Sequence, residues 1–446
     1  MHLTKRRVSL HNLGCKVNSY ETDLMTQKFI QAGYEVVPFG EEADIYVINT
    51  CTVTNVADRK SRQMLRRAKK TNPQAVVVAV GCYAQIAEQE ADVADLWIGN
   101  NHKSEIVDIV KEYLTKHTNV YVEDTKGWEF EESKLEMVTE HTRVSLKIQD
   151  GCNQFCSYCI IPYARGRVRS KNPQKVLAEV QDLVRKGYKE IVLTGIHLSS
   201  YGVDFTDKQP NLLGIIQMLH EINGLERIRL GSLEPGFITE ETVEELVKLE
   251  KVCPHFHLSL QSGCDATLKR MNRRYTSGEY KEKCDILRKY YANPAITTDV
   301  IVGFPGETEE EFASTKRFLA DIHFAQMHVF KYSMRKGTKA AAMESQVPEP
   351  EKERRSHILL ELDEKLEKEY KKSFVGQTME VLFEESMEHA DKIYQVGHTK
   401  NYLKVAIPIT EDLQNQTMYV KISSDCINVG RGENSEIMLA EQMDLY

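Results

Sequence analysis

Short apolar runs alternate with helical patterns along the first part of the chain. The apolar runs cover residues 7–13, 44–49 and 75–80, and the helical patterns cover 19–32 and 56–70. Strands that alternate with helices along a sequence are typical of a parallel sheet covered by helices. We therefore expect an α/β domain with a parallel sheet at residues 1–125.

The alternation resumes beyond a polar stretch at 123–142, which has few apolar positions and is predicted to be a linker. Six β/α units in succession favour a complete or partial parallel (β/α)6 barrel, whose chemistry lies at the carboxyl ends of its strands. A charged, leucine-spaced helix is predicted to connect the barrel to the next domain. The barrel and this helix together cover residues 138–370. The predicted strands are 144–148, 190–193, 227–231, 255–260, 297–302 and 324–332, and the connecting helix is 349–372.

The last part of the chain has a different pattern. Short β-like runs at 378–383, 402–407 and 418–422 predict a small all-β domain at residues 373–441. From residue 373 onward, four Lys and one Arg stand against twelve Asp and Glu, so this domain is acidic. The expected fold class is α/β, with an amino-terminal parallel sheet, a central partial barrel and a carboxyl-terminal all-β domain.

Composition places the chain among ordinary folded proteins. Its 446 residues are 41% hydrophobic and 28% charged, which excludes the disordered and fibrous classes. The first residues are polar and no apolar run reaches 18 residues, so we expect a cytoplasmic location and no membrane insertion. Thiols stay reduced in that compartment, and the ten cysteines are better explained as metal or redox ligands than as disulfides.

Three cysteines form a CxxxCxxC loop directly after the first predicted barrel strand. They are Cys152, Cys156 and Cys159. Three thiolates on so short a loop can hold a four-iron cluster and leave one iron open to another ligand. Zinc is the alternative, but zinc sites usually pair two CxxC units or add histidines, and neither follows this loop.

Three further cysteines each follow a predicted strand of the amino-terminal sheet. Cys15, Cys51 and Cys82 stand in Leu-Gly-Cys-Lys-Val-Asn, Asn-Thr-Cys-Thr-Val-Thr and Gly-Cys-Tyr-Ala-Gln. Each alone could be a small buried apolar residue. Because the carboxyl ends of parallel strands meet along one crevice, the three together predict a second cluster with an open iron. The cysteines without such a pattern, predicted to be structural, are Cys253, Cys264, Cys284 and Cys426.

The central loop, with Phe155 and Tyr158 between its thiols, resembles the cluster motif of the radical S-adenosylmethionine superfamily. The three strand-end segments extend the resemblance to the methylthiotransferases, a subfamily of these enzymes, over nearly the whole chain. The resemblance implies two 4Fe-4S clusters, one of them an auxiliary cluster on the amino-terminal thiols that carries the sulfur, and a carboxyl-terminal TRAM domain. It also implies two molecules of S-adenosylmethionine per turnover. One gives a methyl group and the other a 5′-deoxyadenosyl radical that removes hydrogen from carbon, with an electron donor such as flavodoxin or ferredoxin.

Glycine and polar residues recur at the ends of the other predicted barrel strands. A plain β-to-α turn would explain any one of them, but their recurrence on the active face indicates a cofactor pocket. Glu234 is the best candidate for contact with a ribose hydroxyl or an ammonium group. The expected cofactor-binding residues are Gly195, Glu234, Gln261, Ser262, Gly303, Pro305 and Gly306.

The branches of the methylthiotransferases modify either an adenosine beside the tRNA anticodon or an aspartate of a small-subunit ribosomal protein. The amino-terminal cysteine segments are most similar to the branch that acts on N6-threonylcarbamoyladenosine in tRNA. The branch for isopentenylated adenosine usually has Gln-Met where this chain has Lys16 and Val17. The expected reaction adds a methylthio group at carbon 2, and the other two substrates are alternatives. The alternative of another class is a zinc-containing, non-catalytic RNA-binding protein.

Basic runs are candidate contacts to tRNA, because the net charge of −8 and the acidic last domain offer phosphates little attraction elsewhere. The preferred run follows the cysteine loop and could hold the anticodon backbone while the target base enters the pocket. A surface loop that forms salt bridges is the alternative for this run, and a solvated helix face is the alternative for the helix at 59–70. The preferred residues are Arg165, Arg167 and Arg169, and the other runs are the helix at 59–70 and Lys269, Arg270, Arg273 and Arg274.

Overall fold

The computed structural model of the protein describes residues 5–90, 92–136, 142–409, 411–429 and 436–442. Within these residues the chain forms a parallel sheet, a partial barrel of parallel strands and a small closed β-barrel, which confirms the expected fold class. No helix in the described ranges combines the length and the hydropathy needed to cross a bilayer. Residues 137–141, in the predicted linker, and 430–435, in the predicted all-β domain, lie outside the described residues.

The amino-terminal sheet is built from short strands. Its strands are β1 (Arg7–Asn12), β2 (Glu35–Val36), β3 (Ile45–Thr50), β4 (Val76–Gly81), β5 (Leu96–Ile98) and β6 (Val120–Tyr121). They are all parallel, in the order β2-β1-β3-β4-β5-β6. The central strands β3, β4 and β5 are buried. The helices are α1 (Lys16–Gln31), α2 (Asn55–Thr71), α3 (Cys82–Ile86) and α4 (Ile106–Lys116).

Helices cover both faces of this sheet, which explains why its central strands are continuous apolar runs. Val47 of β3 packs with Phe29 of α1 on one face. Tyr46, its neighbour in sequence, packs with Leu65 of α2 on the other face. The first residues after β1, β3 and β4 therefore lie side by side at one edge.

Six parallel strands form the partial barrel, and a short antiparallel strand, β8, extends one edge. The strands are β7 (Arg143–Asp150), β8 (Arg169–Ser170), β9 (Glu190–Gly195), β10 (Arg227–Leu230), β11 (His255–His257), β12 (Ala295–Val302) and β13 (Gln326–Lys331). They form two sheets, β10-β9-β7-β8 and β11-β12-β13, which are joined by a parallel bridge between Leu233 and Leu258. The helices are α5 (Ile161–Arg165), α6 (Pro173–Arg185), α7 (Leu212–His220), α8 (Glu240–Leu246), α9 (Asp265–Arg270), α10 (Ser277–Tyr290), α11 (Glu309–Ile322) and α12 (Glu349–Lys372).

The described part of the predicted linker, residues 123–136, contains no helix or strand, but it packs against the barrel. The backbone N–H of Leu135 donates to Glu179 of α6 at 2.8 Å, and the Leu135 side chain is buried in the barrel core. The ring of Trp128 lies under the guanidinium of Arg169 at 5.5 Å. This segment is therefore irregular in backbone but held in place by packing.

The carboxyl-terminal barrel closes in the order β14-β15-β16-β18-β17. Its strands are β14 (Thr378–His389), β15 (Lys392–Thr399), β16 (Lys404–Ile407), β17 (Thr417–Asn428) and β18 (Glu436–Gln442). It contacts the amino ends of β10 and β11, where Arg227 donates to Glu380 at 2.7 Å and the Tyr402 ring stacks on His255 at 4.2 Å. The loop between β15 and β16 thus covers that end of the partial barrel.

Candidate functional site

The amino-terminal thiols lie at the carboxyl ends of three adjacent strands. Cys15 follows β1 and precedes α1, Cys51 follows β3, and Cys82 follows β4. Gly14 has a φ of +110°, and a Cβ at this position would lie 2.9 Å from the Sγ of Cys51. Only glycine allows the first loop to approach the second thiol so closely.

The three thiols interact electrostatically. Burial raises the pKa of Cys51 to about 12, and the nearby thiols of Cys82 and Cys15 add to the increase. Burial also raises the pKa of Cys15, with Cys82 contributing in the same direction. Repulsion between the thiolate forms requires sulfurs that lie near one another. The structure therefore brings together the three cysteines that the sequence predicted to share a site.

The Cys82 sulfur accepts hydrogen bonds from two other parts of the chain. The Nε of Arg165 donates to it at 3.1 Å, and Asn100 lies within 3.7 Å. Arg165 belongs to α5, which follows the CxxxCxxC loop. Asn100 also donates to the backbone carbonyl of Ala164 in the same helix at 2.9 Å. The two cysteine sites are thus linked by α5.

A buried cluster of charges surrounds Arg165. Glu21 and Asp150 are its acidic members, and the Arg165 Nη1 lies 2.9 Å from the first and 3.2 Å from the second. Burial alone would raise the pKa of Glu21, but Arg165, with Lys103 and Lys147, holds it well below its usual range. Four cations face these two carboxylates, namely Lys103, Lys147, Arg165 and Arg169. The cluster therefore has an excess of positive charge beside the Cys82 sulfur.

The CxxxCxxC loop gathers the second set of thiols. The N–H of Cys159 donates to the carbonyl of Cys156 at 3.0 Å, which turns the loop back on itself. Burial raises the pKa of Cys152 to about 11 and that of Cys159 to about 12, and in both cases the Cys156 thiol adds to the increase. The Tyr158 ring contacts Phe304 at 6.4 Å, which anchors the loop to the turn after β12.

Arg273 connects this loop to Glu234. Its guanidinium donates to the Sγ of Cys156 at 3.3 Å and to both carboxylate oxygens of Glu234 at 2.8 Å. The Arg273 side chain is only 6% exposed. His197 lies 3.8 Å from the same carboxylate and is within 3.3 Å of Gln154 in the loop. Glu234 is therefore next to the thiols, as a cofactor contact requires, but it is already paired with an arginine.

The other expected cofactor-binding residues occupy turns at the strand ends. Gly195 lies against Gln149, whose Oε1 would be 2.7 Å from an added Cβ. Gln261 has a φ of +72° and bridges to β12, and the buried Ser262 hydroxyl is used within the fold by Thr315 and Cys264. The turn of Gly303, Pro305 and Gly306 is held by Glu307, Arg270 and Ser345, respectively. These contacts explain the turns, and the cofactor role of the residues stays a prediction.

Neither thiol set is arranged like the ligands of a single metal ion. Three sulfurs on a zinc ion at about 2.3 Å would lie about 3.8 Å from one another. Among the described residues, only His257, Asp299 and His328 place three possible metal-ligand atoms from His, Cys, Asp or Glu within 4.8 Å of one another. Neither thiol set is that tight, although its members interact. An anionic iron-sulfur cluster suits the excess of positive charge beside Cys82.

The structure corrects the expected RNA contacts. Arg165 is completely buried and Arg169 is 6% exposed, because both serve the charge cluster between the sheet and the barrel. Arg273 is buried beside Cys156, and Arg270 pairs with Glu311. Of the preferred run, only Arg167 is exposed, and it lies over the Phe155 ring at 4.5 Å. Basic residues of a short sequence run thus have opposite environments.

Sequence reasoning missed the roles of Arg273 and Arg165 beside the thiols. Their signal in the sequence was only a positive charge in a basic run, which is the same signal that an exposed arginine gives. Their partners are distant along the chain, since 117 residues separate Arg273 from Cys156 and 83 separate Arg165 from Cys82.

Comparison with known proteins identifies two matching families. Residues 146–319 match the Radical SAM superfamily, and residues 7–99 match the family described as Uncharacterized protein family UPF0004. The chain is 43% identical over 422 residues to the threonylcarbamoyladenosine tRNA methylthiotransferase MtaB of Bacillus subtilis (strain 168), which covers 93% of each chain. It is 45% identical over 381 residues to MtaB of Aquifex aeolicus (strain VF5), covering 84% of this chain and 92% of the relative.

Two further matches are more distant. The tRNA-2-methylthio-N(6)-dimethylallyladenosine synthase of Moorella thermoacetica is 33% identical over 419 residues, which cover 92% of this chain and 94% of the relative. Among solved structures, the radical S-adenosylmethionine methyltransferase TsrM from Kitasatospora setae matches with a TM-score of 0.55 at 14% identity, covering 73% of each chain. The structural match concerns the fold alone.

Proposed function

This chain belongs to the radical S-adenosylmethionine methylthiotransferases, and we propose that it adds a methylthio group at carbon 2 of N6-threonylcarbamoyladenosine beside the anticodon of tRNA. Two relatives that carry this activity in their names share 43% and 45% of their aligned residues with the chain, and two others share 36% and 34%. Four relatives named for dimethylallyladenosine share 33% to 34%. Isopentenylated adenosine and a ribosomal aspartate are the alternative substrates. A cytoplasmic location follows from a tRNA substrate.

We assign the two thiol sets to two 4Fe-4S clusters. Cys152, Cys156 and Cys159 would hold the cluster that binds S-adenosylmethionine, and the amino-terminal thiols Cys15, Cys51 and Cys82 would hold the auxiliary cluster. When bound, the clusters and S-adenosylmethionine supply the electron, the radical that removes hydrogen from carbon, the sulfur and the methyl group. A small electron-transfer protein such as flavodoxin or ferredoxin is the proposed electron donor.

The protein's own residues position these groups. Arg165 holds the Cys82 sulfur and, through Glu21 and Asp150, fixes the sheet against the barrel. Arg273 orients Glu234 beside the thiol loop, where the carboxylate can receive a ribose hydroxyl or an ammonium group. The same cofactor pocket is proposed to be lined by Gly195, Gln261, Ser262, Gly303, Pro305 and Gly306. Residues 1–125, 138–370 and 373–441 are the proposed auxiliary-cluster, barrel and TRAM domains.

We propose two surfaces for tRNA. Arg167 lies over Phe155, whose ring meets Tyr163 edge-on at 5.8 Å, and Tyr163 is 48% exposed. Exposed aromatic rings beside a cation can stack on unpaired bases. The second surface is the outer face of α2, whose exposed cations can contact phosphates. Its residues are Arg59, Lys60, Arg66, Arg67 and Lys70.

The observation that carries the proposal is the link between the two thiol sets. α5 begins two residues after Cys159 and ends at Arg165, which contacts Cys82. A reaction that takes hydrogen from one carbon and attaches sulfur to the same carbon needs both sites close to one substrate atom.

Mass spectrometry of tRNA nucleosides tests the proposal. A strain that lacks this protein should lose 2-methylthio-N6-threonylcarbamoyladenosine and retain N6-threonylcarbamoyladenosine. The wild-type gene should restore the product, and a Cys51→Ala gene should not. Loss of methylthiolated isopentenyladenosine instead would assign the chain to that substrate. Unchanged tRNA with loss of a methylthio group from a ribosomal protein would reject the tRNA proposal.

A further inference from the structure

A large cavity lies where the amino-terminal sheet, the partial barrel and the carboxyl-terminal barrel meet. Its volume is about 530 Å³. Cys15 and Lys16 line it from the amino-terminal side, Ser145 from β7, and Glu384 and Tyr402 from the carboxyl-terminal barrel. Cys15, a proposed ligand of the auxiliary cluster, therefore lines this cavity.

Lys16 is a cation without a bonded partner in the cavity. Of the two carboxylates in its wall, Glu384 pairs with Arg143 at 3.1 Å and Glu385 pairs with Lys404 at 3.2 Å. Among the residues that the structure describes, none forms a hydrogen bond or an ion pair with the Lys16 ammonium. The side chain is exposed to the cavity, so a ligand can reach it.

The groups around Lys16 do not neutralise it. Arg143 also lines the cavity, and the carboxylate of Glu190 in β9 is already held by Arg229 at 2.7 Å. A cation that faces a cavity whose carboxylates are already paired favours an anionic ligand. Carboxylate is the anion that a substrate of the proposed class carries.

We propose that this cavity receives the N6 substituent of the target adenosine and that Lys16 binds its carboxylate, which makes Lys16 the residue that selects a threonylcarbamoyl group over an uncharged one. This inference rests on the proposed function. Carbon 2 and N6 lie on the same edge of adenine, on either side of N1. A base that presents carbon 2 to the region of Cys15 can therefore place its N6 substituent at Lys16, which lines the same cavity.

Equilibrium binding to synthetic anticodon stem-loops tests this role. The cluster-loaded full-length protein is titrated, at one fixed salt concentration, with loops that carry N6-threonylcarbamoyladenosine, isopentenyladenosine or plain adenosine. The wild type should prefer the first loop, and Lys16→Gln should weaken its binding by about 10- to 100-fold, as expected for a lost hydrogen bond between charged groups. Binding of the other two loops should not change. Lys16→Arg should recover part of the preference.

A matched control removes the same charge from the same helix. Lys28→Gln, near the other end of α1, should bind all three loops as the wild type does. An equal loss of affinity for all loops in Lys16→Gln would mean that Lys16 contacts a phosphate, and it would overturn the inference. Unchanged binding with an altered cluster absorption spectrum would overturn it as well, because Lys16 would then act on the cluster.

The inference and the proposed function fail in different ways. If the wild type methylthiolates N6-threonylcarbamoyladenosine and Lys16→Gln keeps the full preference for that loop, only the role of Lys16 is rejected. If the wild type neither prefers nor modifies that loop, both are rejected.

Discussion

The Nε of Arg165 donates to the Sγ of Cys82 at 3.1 Å, across the boundary between the amino-terminal sheet and the partial barrel. The same guanidinium binds Glu21 from α1 and Asp150 from the end of β7. One side chain thus joins a cluster ligand to the contact between two structural units. Integrity of the auxiliary site should therefore depend on how the two units are docked.

Replacing Arg165 by Ala should damage both features. Glu21 and Asp150 would lose a positively charged partner in a buried site. Removing one partner of a buried ion pair lowers the free energy of unfolding by about 3–5 kcal/mol. We expect a lower midpoint in chemical denaturation and loss of about half of the bound iron, measured under anaerobic conditions. Arg167→Ala, in the same run but exposed, is the control and should keep the full iron content. Full iron content in Arg165→Ala would contradict the assigned role.

The two thiol sets should have separable roles. Cys152→Ala should abolish cleavage of S-adenosylmethionine, because it removes a ligand of the cluster that binds this cofactor. Cys51→Ala should retain measurable cleavage but transfer no sulfur to the tRNA. The assay follows 5′-deoxyadenosine and the modified nucleoside in the same reaction. Equal loss of both products in the Cys51 variant would argue against two clusters with separate functions.

Arg273→Gln should change the redox behaviour of the cluster in the central loop. The variant loses a charged donor to the Cys156 sulfur and the partner of Glu234. Hydrogen bonds to cluster sulfurs raise the reduction potential, so we expect a more negative potential in anaerobic titration followed by electron paramagnetic resonance. Arg274→Gln changes the exposed neighbour and should leave the potential as in the wild type. Weaker binding of S-adenosylmethionine should accompany the change in potential.

Arg167→Ala should weaken tRNA binding without affecting the clusters. Loss of the cation beside the exposed Tyr163 and the half-buried Phe155 should reduce affinity for any tRNA sequence. It should also lower the salt dependence of binding by about one phosphate contact. Titrations at several salt concentrations measure both quantities. If affinity and salt slope both stay at the wild-type values, the tRNA does not touch this surface.

The barrel should lose stability in acid through Glu190. Burial alone would raise the pKa of Glu190, but Arg229 and the other nearby arginines lower it to about 2. Because the folded-state pKa lies below the unfolded value of about 4.3, the stabilisation is complete above that value and disappears as the pH falls through 2. The lowered pKa stabilises the folded state by about 3 kcal/mol at neutral pH. More than half of this stabilisation should be lost at about pH 3.

Glu190→Gln tests this contribution. The variant should be less stable than the wild type at pH 7, and the difference should shrink between pH 5 and pH 3. Urea unfolding of both proteins in the same cluster-free form at each pH measures it. A difference that is independent of pH would show that the loss comes from packing and not from the charge of Glu190.

The strands, helices and thiols could be predicted from the sequence because their signals are local. The apolar runs at 44–49 and 75–80 differ from β3 and β4 by one residue at each end. The predicted connecting helix at 349–372 coincides with α12. The cysteines at the ends of β1, β3 and β4 meet because parallel strands must end along one edge. Periodicity and topology therefore determined the fold class and the grouping of the thiols.

Only the tertiary structure decided what the charged residues do. Arg165, Arg167 and Arg169 are equivalent in the sequence, yet the first and third are buried in ion pairs and the second is exposed. The role of an arginine depends on the carboxylates and sulfurs that the fold brings to it, and for Arg165 the partner Glu21 is 144 residues away. Charge is a property of the residue, whereas burial and pairing are properties of the folded chain.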